Sequence, residues 1–394
     1  MSVEATARSA RPPLWRDLRV LRVAGQVVFV AVAVVFFMTL TSNLTDSLRR
    51  QGLDISLDFL RTRAGFGISE GISYSANDSF LRAFQVGVVN TLRVAGVGIV
   101  LATVLGVVMG VARLSPNWLV RKIAQVYVET IRNTPVLVQI IFWFFGVIFA
   151  LPPIQEARTL GSVGILSNRI IALAWPRLEE GAGLWAIFVV AGVVAAAVAW
   201  SRLTRLGDRT GRDHHRVRWG LGVFTIVTLS GFLISGSPVR FDTPEVVRFQ
   251  VEGGLQVSAG YAALLTGLVV YTGAFITEIV RGSILAVPKG QREAAEALGL
   301  NPFQQLRFVV LPQAMRIALP PITSQYLNLT KNSSLAIAIG FPDLMGVSRT
   351  IINQSGKATE MLLIVMATYL SMSLFISLVM NTINRRVALR GEGR

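Results

Sequence analysis

The 394-residue sequence contains no cysteine and only two histidines, His214 and His215. Without cysteine the chain has no disulfide bond, no thiolate nucleophile and no cysteine-ligated zinc or iron–sulfur site. The two histidines lie together in an arginine-rich loop, which leaves little for metal binding or a proton relay. Charged residues make up only 15% of the chain, against about 25% in ordinary soluble domains. This composition excludes a typical cytoplasmic globular protein.

Apolar residues make up 52% of the chain and lie in long runs separated by arginine-rich loops. A run of about 20 apolar residues is long enough to cross a bilayer as a helix. The sequence therefore predicts an all-α, polytopic membrane protein with about eight spans. We place them at Val23–Thr41, Val86–Ala112, Pro135–Leu151, Leu184–Trp200, Leu221–Ser235, Tyr261–Val280, Leu327–Met345 and Met361–Ile383. No signal-peptidase pattern closes the first run, so we interpret it as an uncleaved anchor.

The basic residues, which give a net charge of +16, lie mainly between the apolar runs. This distribution is typical of membrane topology signals rather than of a nucleic-acid-binding face. With the N-terminus inside, the inner segments hold twice as many basic residues as the outer ones. We therefore predict a multi-pass protein of the bacterial cytoplasmic (inner) membrane with both termini cytoplasmic.

The loop that follows the sixth span is long, moderately polar and rich in helix-ending signals. We predict a short helix at Gln291–Leu298, closed by Gly299 in a left-handed conformation. The apolar side of this helix is formed by Ala294, Ala295 and Leu298. Asn301 is predicted as the N-cap of a second short helix, Pro302–Val310, which Pro312 ends. Two short helices joined at a glycine are suited to docking a partner protein, and nothing in them suggests catalysis.

The spacing of residues in this loop resembles the EAA loop of ATP-binding-cassette importer permeases. The matching positions are Glu293-Ala294-Ala295, then Gly299, then Val309 ahead of Leu311-Pro312. The resemblance implies that the loop fits a groove on a separate cytoplasmic ATPase and transmits its closure to the membrane helices. The chain has no G-x-x-x-x-G-K-[ST] motif of its own, so ATP and Mg²⁺ would be bound by the ATPase and no cofactor by this chain.

Further segments resemble permeases for polar amino acids. These are Glu129–Ile140 (ETIRNTPVLVQI), Asn90-Thr91-Leu92 and Lys331-Asn332-Ser333-Ser334-Leu335. The length and the extra helices resemble the general L-amino-acid permease type, which includes glutamate/glutamine/aspartate/asparagine importers. The predicted organisation is a tail (1–22), an anchor helix with an external loop (23–85), a first core part (86–151), an inserted helix pair (152–260), a second core part (261–384) carrying the coupling loop (288–320), and a tail (385–394). The two core parts form a five-helix importer-permease core.

The resemblance implies a transmembrane importer subunit, not itself an enzyme, for polar L-amino acids. Its partners would be an ATPase dimer, a second and similar permease chain, a periplasmic amino-acid-binding protein and the lipid bilayer, without nucleic acid. The alternative is a stand-alone secondary transporter, which would require paired broken helices in two repeated halves and an internal ion site. We find neither in the sequence. A membrane enzyme is also unsupported, because no catalytic motif is present.

Ionisable and polar side chains within spans are the default candidates for a substrate path. The candidates are Lys331, Asn328, Asn332, Ser333, Glu278, Arg281 and Gln139. Lys331 and Glu278 could hold the carboxylate and ammonium of a zwitterionic substrate. Alternatively, Lys331 snorkels to the interface, and Glu278 only neutralises Arg281, one helical turn away. Arg93 is interpreted as structural.

The inner turn of the inserted helix pair carries four arginines at helical spacing. They are Arg202, Arg205, Arg209 and Arg212. One interpretation is a site for anionic lipid headgroups. The other, which we favour from sequence alone, is a solvated turn that obeys the positive-inside rule.

Overall fold

The structure is a computed structural model that describes residues 18–50, 56–211, 215–248 and 250–387. The predictions for most of both tails, for Arg212 and for His214 lie outside the described residues. Within these ranges the chain is mainly helical, which confirms the predicted fold class. The α-helices are α1 (Leu18–Arg50), α2 (Phe80–Ala112), α3 (Trp118–Arg132), α4 (Val136–Ile141), α5 (Ala182–Thr210), α6 (Arg216–Ile234), α7 (Ala259–Leu285), α8 (Lys289–Ala297), α9 (Pro302–Gln305), α10 (Leu311–Asn332), α11 (Leu344–Ser355) and α12 (Ala358–Val387).

Six of these helices are long and apolar enough to cross a membrane. The number of candidate spans rises to eight if each of two bent helix pairs counts as one span. The six are α1, α2, α5, α6, α7 and α12. The first bent pair joins α3 to Val136–Ile148 at an angle of 106°, and the second joins Pro302–Ile339 to α11 at 54°. The predicted third and seventh spans are therefore parts of broken elements rather than simple helices.

Pro312 does not end a short helix, contrary to the sequence-based prediction. The chain passes from α9 through a π-helical turn at Leu306–Val310 directly into α10, with Pro312 in its first turn. Pro312 has no N–H to donate, and the widened turn before it makes room for its ring. Pro320 and Pro321 also lie inside α10. The element that begins at the coupling loop consequently runs without interruption to a 3₁₀ segment, Ser333–Ile339.

The second bent pair is interrupted at residues 340–343. Gly340 has a φ of +69°, a left-handed conformation that favours glycine, and ends the 3₁₀ segment. Asp343 then caps α11 by accepting a hydrogen bond from the backbone N–H of Gly346 at 2.8 Å. The sequence analysis did not predict Asp343 as a cap.

Helices α2 and α7 form the centre of the core. Gly106 and Gly110 of α2 face Ile276 and Val280 of α7 so closely that an added Cβ would lie 2.5 Å and 2.8 Å from their side chains. Small residues at such positions let two membrane helices approach closely. The buried cluster around this contact also includes residues of α10 and of the Ala259 end of α7.

The inserted segment contains a helical hairpin, as predicted, and also short strands that the sequence analysis missed. Antiparallel strands β1 (Arg158–Thr159), β2 (Gly164–Leu166), β3 (Ile170–Leu173) and β8 (Leu255–Ser258) form one sheet, while β4 (Trp175–Leu178) pairs with β5 (Val239–Asp242) and β6 (Glu245–Val247) with β7 (Gln250–Glu252). Each strand has only two to four residues, too few for an alternating pattern. These strands and residues 56–79 lie at one end of the helices, called the sheet end below. The opposite end carries α8 and α9.

Candidate coupling and translocation sites

The coupling segment, Lys289–Val310, is a helix–turn–helix whose turn depends on Gly299. Gly299 has a φ of +73°, as predicted. Its N–H donates to the carbonyl of Glu296 at 2.8 Å, and the N–H of Leu300 donates to the carbonyl of Ala295 at 3.1 Å. These bonds satisfy the last carbonyls of α8 and turn the chain toward α9.

The start of α9 is fixed by a reciprocal cap. The Asn301 side chain accepts from the N–H of Gln304 at 2.9 Å, and the Gln304 side chain accepts from the N–H of Asn301 at 2.9 Å. Pro302 occupies the first helical turn, as predicted. The turn between α8 and α9 is thus held by local hydrogen bonds.

The apolar residues of α8 do not share one exposed face, which corrects the sequence-based grouping. Ala295 is 2% exposed and is directed into the protein, whereas Leu298 is 80% exposed. Glu293 and Ala294 are also exposed. Beyond the turn, Phe303 is 67% exposed. We call Glu293, Ala294, Leu298 and Phe303 the docking surface.

The sequence analysis did not assign Phe303 to this surface, and it grouped Leu298 with Ala294 and Ala295 on one side of the helix. Two large apolar side chains beside a charged one at a turn are unusual on a solvated loop and are typical of a protein contact. The position of Phe303 could have predicted its exposure, because it follows Pro302 in the first turn of a capped helix.

Part of α10 exposes a polar stripe. Ser324, Asn328 and Lys331 are spaced by four and three residues, so they share one helical face, and all three are exposed. In the part of the chain that the structure describes, the Lys331 ammonium has no hydrogen-bond or ion-pair partner. Asn332 is half-buried, and buried Ser333 donates to the Thr330 carbonyl at 2.7 Å. Asn328 and Lys331 are therefore accessible in this chain, whereas Ser333 is engaged in its own helix.

Glu278 lies in a charged cluster near the α8 end of α7. One carboxylate oxygen is 2.9 Å from Arg113 Nη2, and the other is 2.9 Å from Arg281 Nη2. The predicted contact between Glu278 and Arg281 is present. Arg113, which the sequence analysis did not include, joins the end of α2 to the same carboxylate.

Glu278 and Lys331 are not brought together. Leu329, two residues before Lys331, packs against Gly98 of α2, and Leu265 of α7 lies at the same place. Leu265 is 13 residues from Glu278 along α7, a distance of roughly 20 Å. One amino acid cannot span this separation, so the two side chains do not form a joint site for carboxylate and ammonium in this structure.

Gln139 and Arg93 have local partners. Gln139 is buried, and its Nε2 donates to the carbonyls of Ile131 at 2.9 Å and Thr134 at 3.0 Å, across the bend between α3 and α4. Arg93 lies 3.8 Å from the Glu70 carboxylate and 5.4 Å from the centre of the Tyr261 ring. Both side chains hold neighbouring segments in place.

Polar side chains of α2 support the interruption before α11. Asn90 donates to the Pro342 carbonyl at 2.9 Å and to the Glu70 carbonyl at 3.1 Å. Thr91 accepts from the N–H of Leu344 at 3.0 Å. Irregular backbone at membrane depth needs such partners, because lipid supplies none. The Asn90-Thr91 pair, noted in the sequence only as a resemblance, therefore stabilises the break.

A cavity of about 350 Å³ lies between this interruption and residues 66–69 at the sheet end. Of the residues that line it, Arg349 alone is charged, and Asn353, Thr350 and Ser69 supply further polar groups. The sequence analysis did not single out Arg349.

Comparison with known proteins identifies the family. Residues 102–390 match the family described as the binding-protein-dependent transport system inner membrane component. The chain belongs to this family. The match covers most of the first core part, the inserted segment and the whole second core part, so this chain is the membrane component of such a transport system, in agreement with the resemblance found in the sequence.

Three curated relatives are similar over nearly the whole chain. The general L-amino acid transport system permease protein AapQ of Rhizobium johnstonii is 43% identical over 92% of this chain and 91% of its own. The putative amino-acid ABC transporter permease protein YhdX of Escherichia coli is 40% identical, with 92% and 93% covered. The glutamate/glutamine/aspartate/asparagine transport system permease protein BztB of Rhodobacter capsulatus is 36% identical, with 95% of each chain covered.

Proposed function

We propose that this permease imports polar L-amino acids as the transmembrane subunit of an ATP-binding-cassette importer. It pairs with a second, similar permease chain, receives substrate from an extracytoplasmic binding protein, and is driven by a separate ATPase dimer that binds ATP and Mg²⁺. The names of the three relatives support the substrate class. The docking surface supports an interaction with a separate ATPase.

The observation that carries the proposal is a physical connection between two exposed features. The docking surface continues through the π-helical turn into α10, and α10 presents the polar stripe. Lipid cannot solvate an exposed ammonium and amide, so the stripe must face an aqueous path or another protein chain. A second permease chain across this stripe would enclose a path lined by Asn328 and Lys331.

A continuous helical element between the two features suits energy coupling. When the ATPase moves the docking surface, the uninterrupted helix carries the displacement to Lys331 without a flexible linker. The ammonium of Lys331 is suited to the substrate carboxylate, which every amino acid possesses. Glu278 and Arg281 are engaged with Arg113 and serve to hold α2 against α7, so the ammonium of the substrate requires another acceptor.

The topology that we propose places both termini and the docking surface in the cytoplasm and the sheet end outside. Reporter fusions after Gly207 and Gly299 should give cytoplasmic signals, and a fusion after Gly67 an external signal. An external signal at Gly299 would separate the docking surface from a cytoplasmic ATPase and overturn the coupling argument.

Copurification tests the proposed function directly. The full chain should be expressed with its genomic neighbours and extracted in mild detergent. We expect an ATPase and a second permease chain to copurify, and the loaded binding protein to stimulate ATP hydrolysis. Purified chain that transports an amino acid in liposomes without an ATPase, driven by an ion gradient alone, would favour the secondary transporter instead.

A further inference from the structure

The hairpin of α5 and α6 packs mainly upon itself rather than on the core helices. Gly192 and Gly231 lie at the contact between the two helices, where an added Cβ would meet Thr228 and Phe188 respectively. The outer surfaces of both helices are consequently available to the surrounding bilayer. The question is what the arginines at the tip of this hairpin contact.

The face of α5 that contacts α6 is marked by Trp200. Its ring lies 3.6 Å from the position of an added Cβ at Gly220 of α6, and the Arg216 guanidinium stacks 5.7 Å from its centre. Successive helical residues are rotated by about 100°. Arg202, Arg205 and Arg209 therefore lie roughly 140° to 200° around the helix from Trp200, directly away from α6.

The same outward face of α5 is apolar over the preceding turns. Its exposed residues, going from the sheet end toward the tip, are Leu184, Ile187, Val194 and Val198. The change from apolar side chains to arginine occurs at Arg202, 18 residues beyond Leu184 and thus roughly 27 Å along the axis. This length matches the hydrocarbon thickness of a bilayer, about 30 Å.

The arginines consequently begin about one hydrocarbon thickness from Leu184, at the level expected for lipid phosphates. Arg202, Arg205 and Arg209 are all exposed, and none has an ion-pair partner in the described ranges. Trp219 of α6, 63% exposed beside Arg218, adds an aromatic side chain of the kind found at membrane interfaces. A guanidinium fork binds a phosphate with two parallel hydrogen bonds.

We propose that the outward arginine stripe of α5, formed by Arg202, Arg205 and Arg209, binds the phosphate of anionic phospholipids. The acyl chains of these lipids lie along the apolar residues of the same face, nearer the sheet end. Basic residues that serve only as a topology signal can lie anywhere in the turn. Their placement on one face, in line with the apolar stripe and turned away from α6, is specific to a lipid contact.

The test uses the full chain reconstituted in bilayers of phosphatidylcholine with spin-labelled phosphatidylglycerol or spin-labelled phosphatidylcholine. The measured quantity is the fraction of each labelled lipid that is motionally restricted by the protein. An arginine near an anionic surface favours binding by about fivefold. We therefore expect phosphatidylglycerol to be preferred by the wild type, and R202Q/R205Q/R209Q to lose most of that preference.

Two controls make the result specific. R61Q/R158Q/R169Q removes the same charge from exposed arginines at the sheet end and should leave the preference unchanged. Because the chain has no cysteine, Thr210→Cys introduces a single thiol, whose membrane-impermeant labelling reports whether the triple variant keeps its topology.

Each outcome is decisive for the arginine stripe. Equal restriction of both lipids by the wild type, or an unchanged preference in R202Q/R205Q/R209Q with retained topology, would overturn the proposal. Added inorganic phosphate should not displace the lipid. Displacement at millimolar phosphate would assign a site for free anions and would also overturn the lipid occupant.

Discussion

The guanidinium of Arg113 lies 2.9 Å from the carboxylate of Glu278, although 165 residues separate them in sequence. The same carboxylate accepts two hydrogen bonds from Arg281, at 2.9 Å and 3.0 Å. Arg113 follows the last residue of α2, and Glu278 and Arg281 lie in the final turns of α7. The cluster therefore joins the two central helices at the end that carries the coupling segment.

Glu278→Gln should destabilise the protein more than Arg281→Gln. The glutamine variant leaves two guanidinium groups without a counter-charge, and loss of one member of a partly buried pair costs about 3 kcal/mol. Arg281→Gln preserves the pair of Arg113 and Glu278, so its cost should be smaller. Thermal unfolding in detergent measures both. An equal or larger loss for Arg281→Gln would show that Arg113 contributes little.

Lys331→Met should abolish uptake while leaving assembly with the ATPase and basal ATP hydrolysis intact. The substitution removes the ammonium on the exposed stripe of α10 and retains most of the side-chain volume. Lys122→Met, at another exposed lysine, is the matched control and should transport normally. Normal uptake by Lys331→Met would return Lys331 to a snorkelling role at the interface.

The long elements were predictable from the sequence because apolar runs and capping residues are local signals. Gly299 and Asn301 act as their residue types predicted. The continuation through Pro312 was not predictable, because it depends on a π-helical turn formed by residues that carry no distinctive pattern. The separation of Glu278 from Lys331 also depends on how α2, α7 and α10 pack, which no spacing along one segment reveals.

Leu298→Asp should weaken association with the ATPase without affecting membrane insertion. Leu298 is 80% exposed on the docking surface, so a carboxylate there meets water in the free chain but would be buried unpaired in a packed interface. Leu160→Asp, at a leucine 52% exposed at the sheet end, is the control. Ala294→Asp should resemble Leu298→Asp. The measurement is the amount of ATPase that copurifies, and full copurification of both docking variants would contradict the assignment of this surface.

Gly299→Val should disrupt coupling, whereas Gly290→Val should not. Neither position has any atom within 4 Å of an added Cβ, so the two glycines differ in conformation and not in available space. Gly299 has a φ of +73°, where a residue with a Cβ loses roughly 1 kcal/mol or more, and a β-branched residue is the least tolerated. Gly290 lies near the start of α8 with an ordinary backbone conformation. In Gly299→Val the turn should open and change the direction of α9 relative to α8. Insertion should be unchanged, because the apolar helices are untouched, while transport and stimulation of the ATPase by loaded binding protein should both fall. If Gly299→Val and Gly290→Val retained equal transport, the left-handed turn would be only a connector between α8 and α9.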